Sequence, residues 1–303
     1  MADKNWIGAF ENAFPAEALQ RDCPMAACTT LRLGGPADLL AEPATEEELL
    51  RMLALAGERS VPVTVIGRGS NLLVRDGGIR GLVIRIGRRM KGIETDGASL
   101  TAMAGTTLTE LAHHAAVSGL AGLAFASGIP GTVGGGVLMN AGAYGGEMCQ
   151  VTSWAEGVRP DGSRFRYSRD ELGFGYRHSR LQDEDGIVTR AGFTLREGDR
   201  AQIEAEMADL NARRSEKQPL QQPSAGSTFK RPEGYFAAAL IDQCGLKGMR
   251  VGGAAVSEKH AGFLVNLGGT AADFEELMRR VRDIVEEKCG VRLEPEIRIL
   301  GEA

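Results

Sequence analysis

From residue 111 to residue 146 the chain runs 36 positions without a single Asp, Glu, Lys or Arg. The last 21 of them, residues 126–146, hold eight glycines and a proline, Pro130. Each glycine costs a helix about 1 kcal/mol relative to alanine, so this composition predicts that no good helix forms here. A lipid span is a continuous apolar run, and the glycines and Pro130 interrupt it. What the glycines do permit is a backbone lying flat against something, with N–H groups facing it and no Cβ in the way. That something is either a large cofactor or nucleotide, or a neighbouring strand against which a tight loop packs.

Composition narrows the choice. With 303 residues, 43% of them hydrophobic, the chain is long enough for two or three domains. Its 41 glycines are about twice the usual frequency, and no collagen-like period or low-complexity tract explains the excess. A net charge of −5 without a basic stripe argues against nucleic acid as a partner, and aromatics at 5% leave few platforms for stacked bases. The five cysteines (Cys23, Cys28, Cys149, Cys244, Cys289) are scattered and lack a Cys-x-x-Cys spacing. They read as reduced thiols of a cytosolic protein, with neither a disulfide framework nor a zinc site. Residues 1–11 carry acids and no apolar run, so no signal peptide is expected and the expected location is the cytoplasm.

Local patterns give alternating helices and strands. Thr45-Glu46-Glu47-Glu48 starts a helix with a capping box, and Leu49, Leu50, Leu53 and Leu55 give it an apolar side. Strands are expected at 61–66, 82–86 and 100–103, then a helix from 107 to about 118 closed by Gly119. A hairpin at 151–158 and 164–167 turns at Pro160-Asp161-Gly162, and a strand at 187–195 precedes a charged helix at 201–215. Gln218-Pro219-Leu220-Gln221-Gln222-Pro223 reads as a linker, followed by an α/β unit with a helix at 272–288, Gly290 as its stop and a strand at 293–300. The expected domains are 1–88, 89–215 and 216–303.

Several common sites are absent from the sequence. Gly67-Arg68-Gly69 is followed by Ser70-Asn71-Leu72, so the Gly-x-Gly-x-x-Gly fingerprint fails. There is no phosphate loop ending in Gly-Lys-Ser/Thr and no Gly-x-Ser-x-Gly elbow. His113 and His114 are adjacent on a helix and cannot share a metal face, while His178 and His260 stand alone, so no metal is expected. The loop Gly67-Arg68-Gly69-Ser70-Asn71-Leu72 directly follows a strand. It is either an ordinary turn or a nest of N–H groups for a pyrophosphate. Beside the 126–146 stretch, the nest reading gains ground: two glycine-rich surfaces could hold the two ends of a dinucleotide without a Rossmann fold.

Six segments then carry a resemblance. They are Gly67-Arg68-Gly69-Ser70-Asn71-Leu72-Leu73-Val74, Gly128-Ile129-Pro130-Gly131-Thr132-Val133-Gly134-Gly135, Met139-Asn140-Ala141-Gly142-Ala143-Tyr144-Gly145, Gly175-Tyr176-Arg177, Ser224-Ala225-Gly226-Ser227-Thr228-Phe229-Lys230-Arg231-Pro232 and Leu293-Glu294-Pro295-Glu296-Ile297-Arg298. In this order, across residues 29–301, they resemble the UDP-N-acetylenolpyruvoylglucosamine reductase (MurB) family. The resemblance implies an α+β chain: a two-part FAD-binding region of the vanillyl-alcohol-oxidase-like fold and a C-terminal α/β substrate domain. It implies non-covalent FAD, since the first loop has no His or Cys, and NADPH as co-substrate. Gly67, Arg68, Gly69, Ser70, Asn71, Leu72, Ser127, Gly128, Ile129, Pro130, Gly131, Thr132, Gly134, Gly135, Asn140, Gly142 and Ala143 would then hold the flavin, with Arg214 and Arg298 beside it.

The implied reaction reduces the enolpyruvyl ether of UDP-N-acetylglucosamine to UDP-N-acetylmuramate. Hydride added to the terminal carbon drives negative charge onto the conjugated carboxylate, which calls for a fixed cation and a hydrogen-bond donor. The resemblance gives Arg177 the cation role, suited to a two-point grip on a carboxylate. Glu296 would assist as a donor, which requires a pKa raised by burial. Alternation along a strand at 293–300 would put Glu294, Glu296 and Arg298 on one face. Ser227 would protonate the neighbouring carbon, a transfer that a strongly basic enediolate makes feasible. Tyr176, Lys217, Lys230 and Lys247 are the expected substrate contacts. The chain departs from the family pattern at Leu181, where an aromatic is common and a pocket wall would change. Its 176–187 interval is too short for the tyrosine-bearing lid of longer members, so it resembles the shorter, second type. Two other readings remain: an oxidase on the same flavin fold, and a nucleotide-binding module without catalysis. Intact Arg177, Ser227 and Glu296 argue against the second.

Overall fold

The computed structural model describes residues 5–303. The chain divides into two compact units, each assembled from separate stretches. The first comprises residues up to Arg21, Leu39–Arg68 and Gly81–Arg213; the second comprises Asp22–Asp38, Gly69–Arg80 and Arg214–Ala303.

A four-stranded sheet has the order Leu19–Pro24, Pro36–Ala41, Ile79–Arg85, Val63–Ile66, its last two strands parallel. In the first unit the helix Glu46–Glu58 forms because Thr45 accepts the Glu48 N–H and the spacing of Leu49, Met52, Leu53 and Ala56 buries one side. The Glu48 carboxylate takes the N–H of Ala44, one residue before the reciprocal partner of a standard box. A second, antiparallel sheet runs Arg164–Ser168, Thr152–Val158, Ile187–Thr194, Ser99–Met103, Ile93–Asp96. The helix Leu108–Val117 has a complete capping box between Thr107 and Glu110.

The glycine stretch departs from expectation. Val133–Leu138, with three consecutive glycines, is a helix, capped by the Thr132 hydroxyl, which accepts the Gly135 N–H. Packing overrides propensity in this short segment. A Cβ on Gly134 would lie 3.0 Å from the Ala104 Cβ, and one on Gly136 would lie 3.1 Å from Leu108 Cδ1. Small residues therefore let the helix settle directly on the strand Ile187–Thr194 and its neighbours. Leu181, expected in a pocket wall, is instead fully buried in this unit's core.

The second unit carries a sheet of order Ser224–Ser227, Phe263–Asn266, Ala254–Val256, Arg250–Val251 and a parallel pair, Arg298–Leu300 with Leu72–Val74. The helix Ala271–Cys289 buries Phe274, Leu277, Met278, Val281 and Val285 along one stripe. Its N-terminus is closed by Thr270 and by Asp76, whose carboxylate accepts from the N–H groups of Ala271 (2.9 Å) and Ala272 (3.0 Å).

The expected strand at 293–300 shrinks to Arg298–Leu300. Pro295 has no N–H to give a ladder. The Glu296 N–H bonds Thr228 O (2.8 Å), but Arg298 N–H turns to Asn71 O (3.0 Å). The segment changes partner between these residues, so Glu294, Glu296 and Arg298 do not share one strand face. The scattered cysteines also come together in space, with Sγ···Sγ distances of 3.7 Å for Cys23 and Cys28 and 3.5 Å for Cys244 and Cys289. Among the described residues, no helix is long and apolar enough to cross a membrane, and no cluster of three or more His, Cys, Asp or Glu side chains is placed to hold a metal.

Candidate active site

The loop 67–71 leaves the strand Val63–Ile66 and meets the glycine stretch at once: a Cβ on Gly67 would lie 2.8 Å from Thr132 Oγ1. Gly69 turns with φ +69°, and its carbonyl accepts the Thr30 N–H (3.2 Å). Among the described residues, the main-chain N–H groups of Gly67, Arg68, Gly69, Ser70 and Asn71 have no protein acceptor. Consecutive donors of this kind form a concave seat for phosphate oxygens. The Asn71 side chain faces the other way and donates to Glu296 O at 3.1 Å.

The 126–146 stretch is arranged differently. The N–H groups of Gly131, Val133, Gly134, Gly135 and Gly136 are all bonded within the protein. Ser127 is buried, its hydroxyl donating to Ala124 O and accepting from Asn211 Nδ2. Gly135 keeps an open flank, with nothing nearer a built Cβ than Thr132 Oγ1 at 3.6 Å. The predicted flavin residues thus include a donor-rich loop and a small-residue segment, 133–136, whose N–H groups are already bonded.

Arg177 lies in a tight turn closed by two main-chain bonds between Gly175 and His178 (3.0 and 3.3 Å), and has φ +53°. Its guanidinium donates to Gly142 O (3.1 Å) and Asn140 O (3.5 Å), lies 3.9 Å from a Glu147 carboxylate oxygen and sits 5.0 Å from the Tyr176 ring centre. A guanidinium held by carbonyls in this way is fixed in orientation. Tyr176 is 47% exposed.

Ser227 and Glu296 both lie in the second unit, where the Glu296 N–H meets the carbonyl of Thr228, the residue after Ser227. The strand Ser224–Ser227 has an irregular register against Phe263–Asn266, with Gly226 at φ +78°, and such a break re-aims the side chain that follows. Thr228, buried, accepts the Glu296 N–H through its carbonyl and the Leu264 N–H through its hydroxyl (3.2 Å). Lys230 N–H bonds Glu294 O, and its ammonium reaches Glu294 Oε2 at 3.4 Å. Lys247 pairs with Asp242 at 2.8 Å, and Lys217 and Arg214 occupy the last turn of the helix Arg200–Lys217. His260 stacks edge-on against Phe263, and burial lowers its pKa. Gln182 carries no motif in the sequence, because its side-chain amide acts on main-chain carbonyls.

The residues fit FAD: the loop donors of 67–71 suit a pyrophosphate, and Gly135 has an open flank that no side chain covers. Known proteins bear on the same segments. Residues 37–168 match the model of an FAD binding domain, and residues 218–300 match the C-terminal domain of UDP-N-acetylenolpyruvoylglucosamine reductase. The reductase of that name from Levilactobacillus brevis is 52% identical over 291 residues, covering 96% of this chain and 95% of the relative. The crystal structure of the reductase from Thermus caldophilus matches with a TM-score of 0.79 at 41% identity, over 93% of this chain and 97% of that one. An alkyldihydroxyacetonephosphate synthase, 18% identical with a TM-score of 0.51 over 65% of this chain and 41% of its own, shares the vanillyl-alcohol-oxidase-like flavin fold. Matched along nearly its whole length, with both domains in order, this α+β chain belongs to the UDP-N-acetylenolpyruvoylglucosamine reductase family of FAD-dependent oxidoreductases.

Proposed function

We propose that this enzyme reduces the enolpyruvyl ether of UDP-N-acetylglucosamine to UDP-N-acetylmuramate, using NADPH, in the cytoplasmic synthesis of peptidoglycan precursors. The names of its relatives and the chemistry of its side chains support this reading. FAD, when bound, supplies the hydride that NADPH delivers to it. Gly67, Arg68, Gly69, Ser70 and Asn71 would seat its pyrophosphate, with Arg214 and Arg298 beside the flavin. The expected subdivision, two flavin subdomains at 1–88 and 89–215 and a substrate domain at 216–303, belongs to the same reading.

Arg177 holds the substrate carboxylate and stabilises the charge that develops there, a role worth about 10²–10³ in rate for one preorganised donor. Glu296 donates a hydrogen bond to the same carboxylate. Ser227 Oγ–H then gives its proton to the carbon beside the carboxylate, and the resulting alkoxide is reprotonated from solvent. Lys217, Lys230 and Lys247 neutralise the diphosphate, which requires Lys230 and Lys247 to exchange Glu294 and Asp242 for the ligand. Tyr176 covers the enolpyruvyl end.

One observation supports the proposal: the Glu296 N–H bonds the carbonyl of Thr228, the residue after Ser227, at 2.8 Å. The test is anaerobic. Ser227→Ala keeps its yellow colour and is bleached by NADPH, but recovery of the flavin band on adding the enolpyruvyl substrate slows by about 10²–10⁴. Normal recovery in the variant removes the proton-donor role. Bleaching of the unaltered enzyme that only oxygen reverses identifies an oxidase instead.

A further inference from the structure

Asn140 is 1% exposed, has φ +42°, and has every polar atom of its side chain engaged. Oδ1 accepts the Cys149 N–H (2.9 Å), while Nδ2 donates to Gly175 O (2.9 Å) and to Glu147 Oε2 (3.1 Å). Gln182 does matching work from the other end of the turn: its Nε2 donates to Arg177 O (3.1 Å) and to Leu138 O (3.0 Å). Leu138 O also accepts the Ser179 hydroxyl (2.7 Å). The carbonyls on either side of Tyr176 are therefore each gripped by a side-chain amide, and both grips lead back to residues 138–140, where the glycine helix ends. The turn they clamp holds Arg177 at φ +53°, a conformation that non-glycine residues keep only when their surroundings over-determine it.

We infer that Asn140 and Gln182 are positioning residues for Arg177: the two amides fix the 175–177 turn on the end of the glycine helix, so that the guanidinium is oriented before a carboxylate arrives. The inference rests on the assignment of Arg177 to the substrate carboxylate. It assigns the Asn140 side chain to the arginine turn and leaves it no polar atom for the flavin.

The test measures three quantities on the FAD-loaded full chain, for Asn140→Asp, Gln182→Ala, Arg177→Ala and the double variant Arg177→Ala/Gln182→Ala. These are flavin bound per chain, the rate of bleaching by NADPH, and the rate and half-saturation of reoxidation by the enolpyruvyl substrate. Asn140→Asp and Gln182→Ala should keep full flavin and bleach within twofold of normal. Their reoxidation at saturating substrate should fall by about 10-fold to 10²-fold, the scale of a misplaced catalytic group. Because Gln182 acts through Arg177, adding Gln182→Ala to Arg177→Ala should cost less than twofold more. Full additivity in the double variant overturns the inference, as does flavin loss in Asn140→Asp or normal reoxidation in Gln182→Ala. If Arg177→Ala itself reoxidises normally, the assignment of Arg177 has failed, a result read without reference to either amide. Should Asn140→Asp not fold, Gln182→Ala and the double variant still decide.

Discussion

Two glycine-rich segments touch at Gly67 and Thr132, yet they use glycine for opposite ends. In the loop 67–71 consecutive N–H groups are left without a protein acceptor. In Val133–Leu138 the same residue type leaves no donor over: the N–H groups close a short helix and its connections, and the missing Cβ atoms let that helix press against Ala104 and Leu108. Glycine content alone therefore does not mark a binding surface. What marks it is whether the N–H groups have somewhere else to go.

Substitutions separate the two uses, and the largest effect belongs to Gly69→Ala. A Cβ there would lie 2.1 Å from Cys28 O, on a residue with φ +69°. Steric strain and the left-handed backbone together should cost about 2–5 kcal/mol, and the purified variant should lose its flavin absorbance. A stable variant with full flavin content would break the comparison on the loop side. Next comes Gly134→Val, which forces atoms into a 3.0 Å gap against Ala104. It should lower unfolding stability by about 1–3 kcal/mol in denaturant titrations of the apoprotein, an effect independent of cofactor. The smallest is Gly135→Ala, whose Cβ would meet nothing closer than 3.6 Å. Apoprotein stability should rise by up to about 1 kcal/mol from helix propensity, while flavin affinity, followed by fluorescence quenching, falls several-fold. Unchanged affinity would mean that the open flank of the helix does not face the flavin.

Much of this was legible in the sequence, and the rest fails for definite reasons. The capped helices after Thr45 and Thr107 and the hairpin through Pro160-Asp161-Gly162 are local events written in local chemistry, and they form where expected. The helix Val133–Leu138 does not follow from propensity, because its support comes from the strands beneath it. Residues 293–300 alternate like a strand, but the alternation carries no record of which neighbour each N–H will choose, and the choice changes between Glu296 and Arg298. The motif-bearing residues of the candidate site were visible as types. Gln182 was not, since an amide that grips a carbonyl looks like any surface glutamine.

The composition of the second unit has a consequence for the order of events at the ribosome. Thr30 Oγ1 bonds Ser224 O across 194 positions, and Asp76 closes a helix that begins 195 positions later. Both early segments can pair with each other, through Thr30 N–H to Gly69 O and Gly35 N–H to Arg75 O, but they leave the exit tunnel long before residues 214–303 exist. At about 5–20 residues per second, they wait on the order of ten seconds or more for their partners. The Gly69 turn and the residues that follow it belong to this waiting set. The loop that holds Gly69 is thus made early, while the unit it belongs to is complete only after residues 214–303 have emerged.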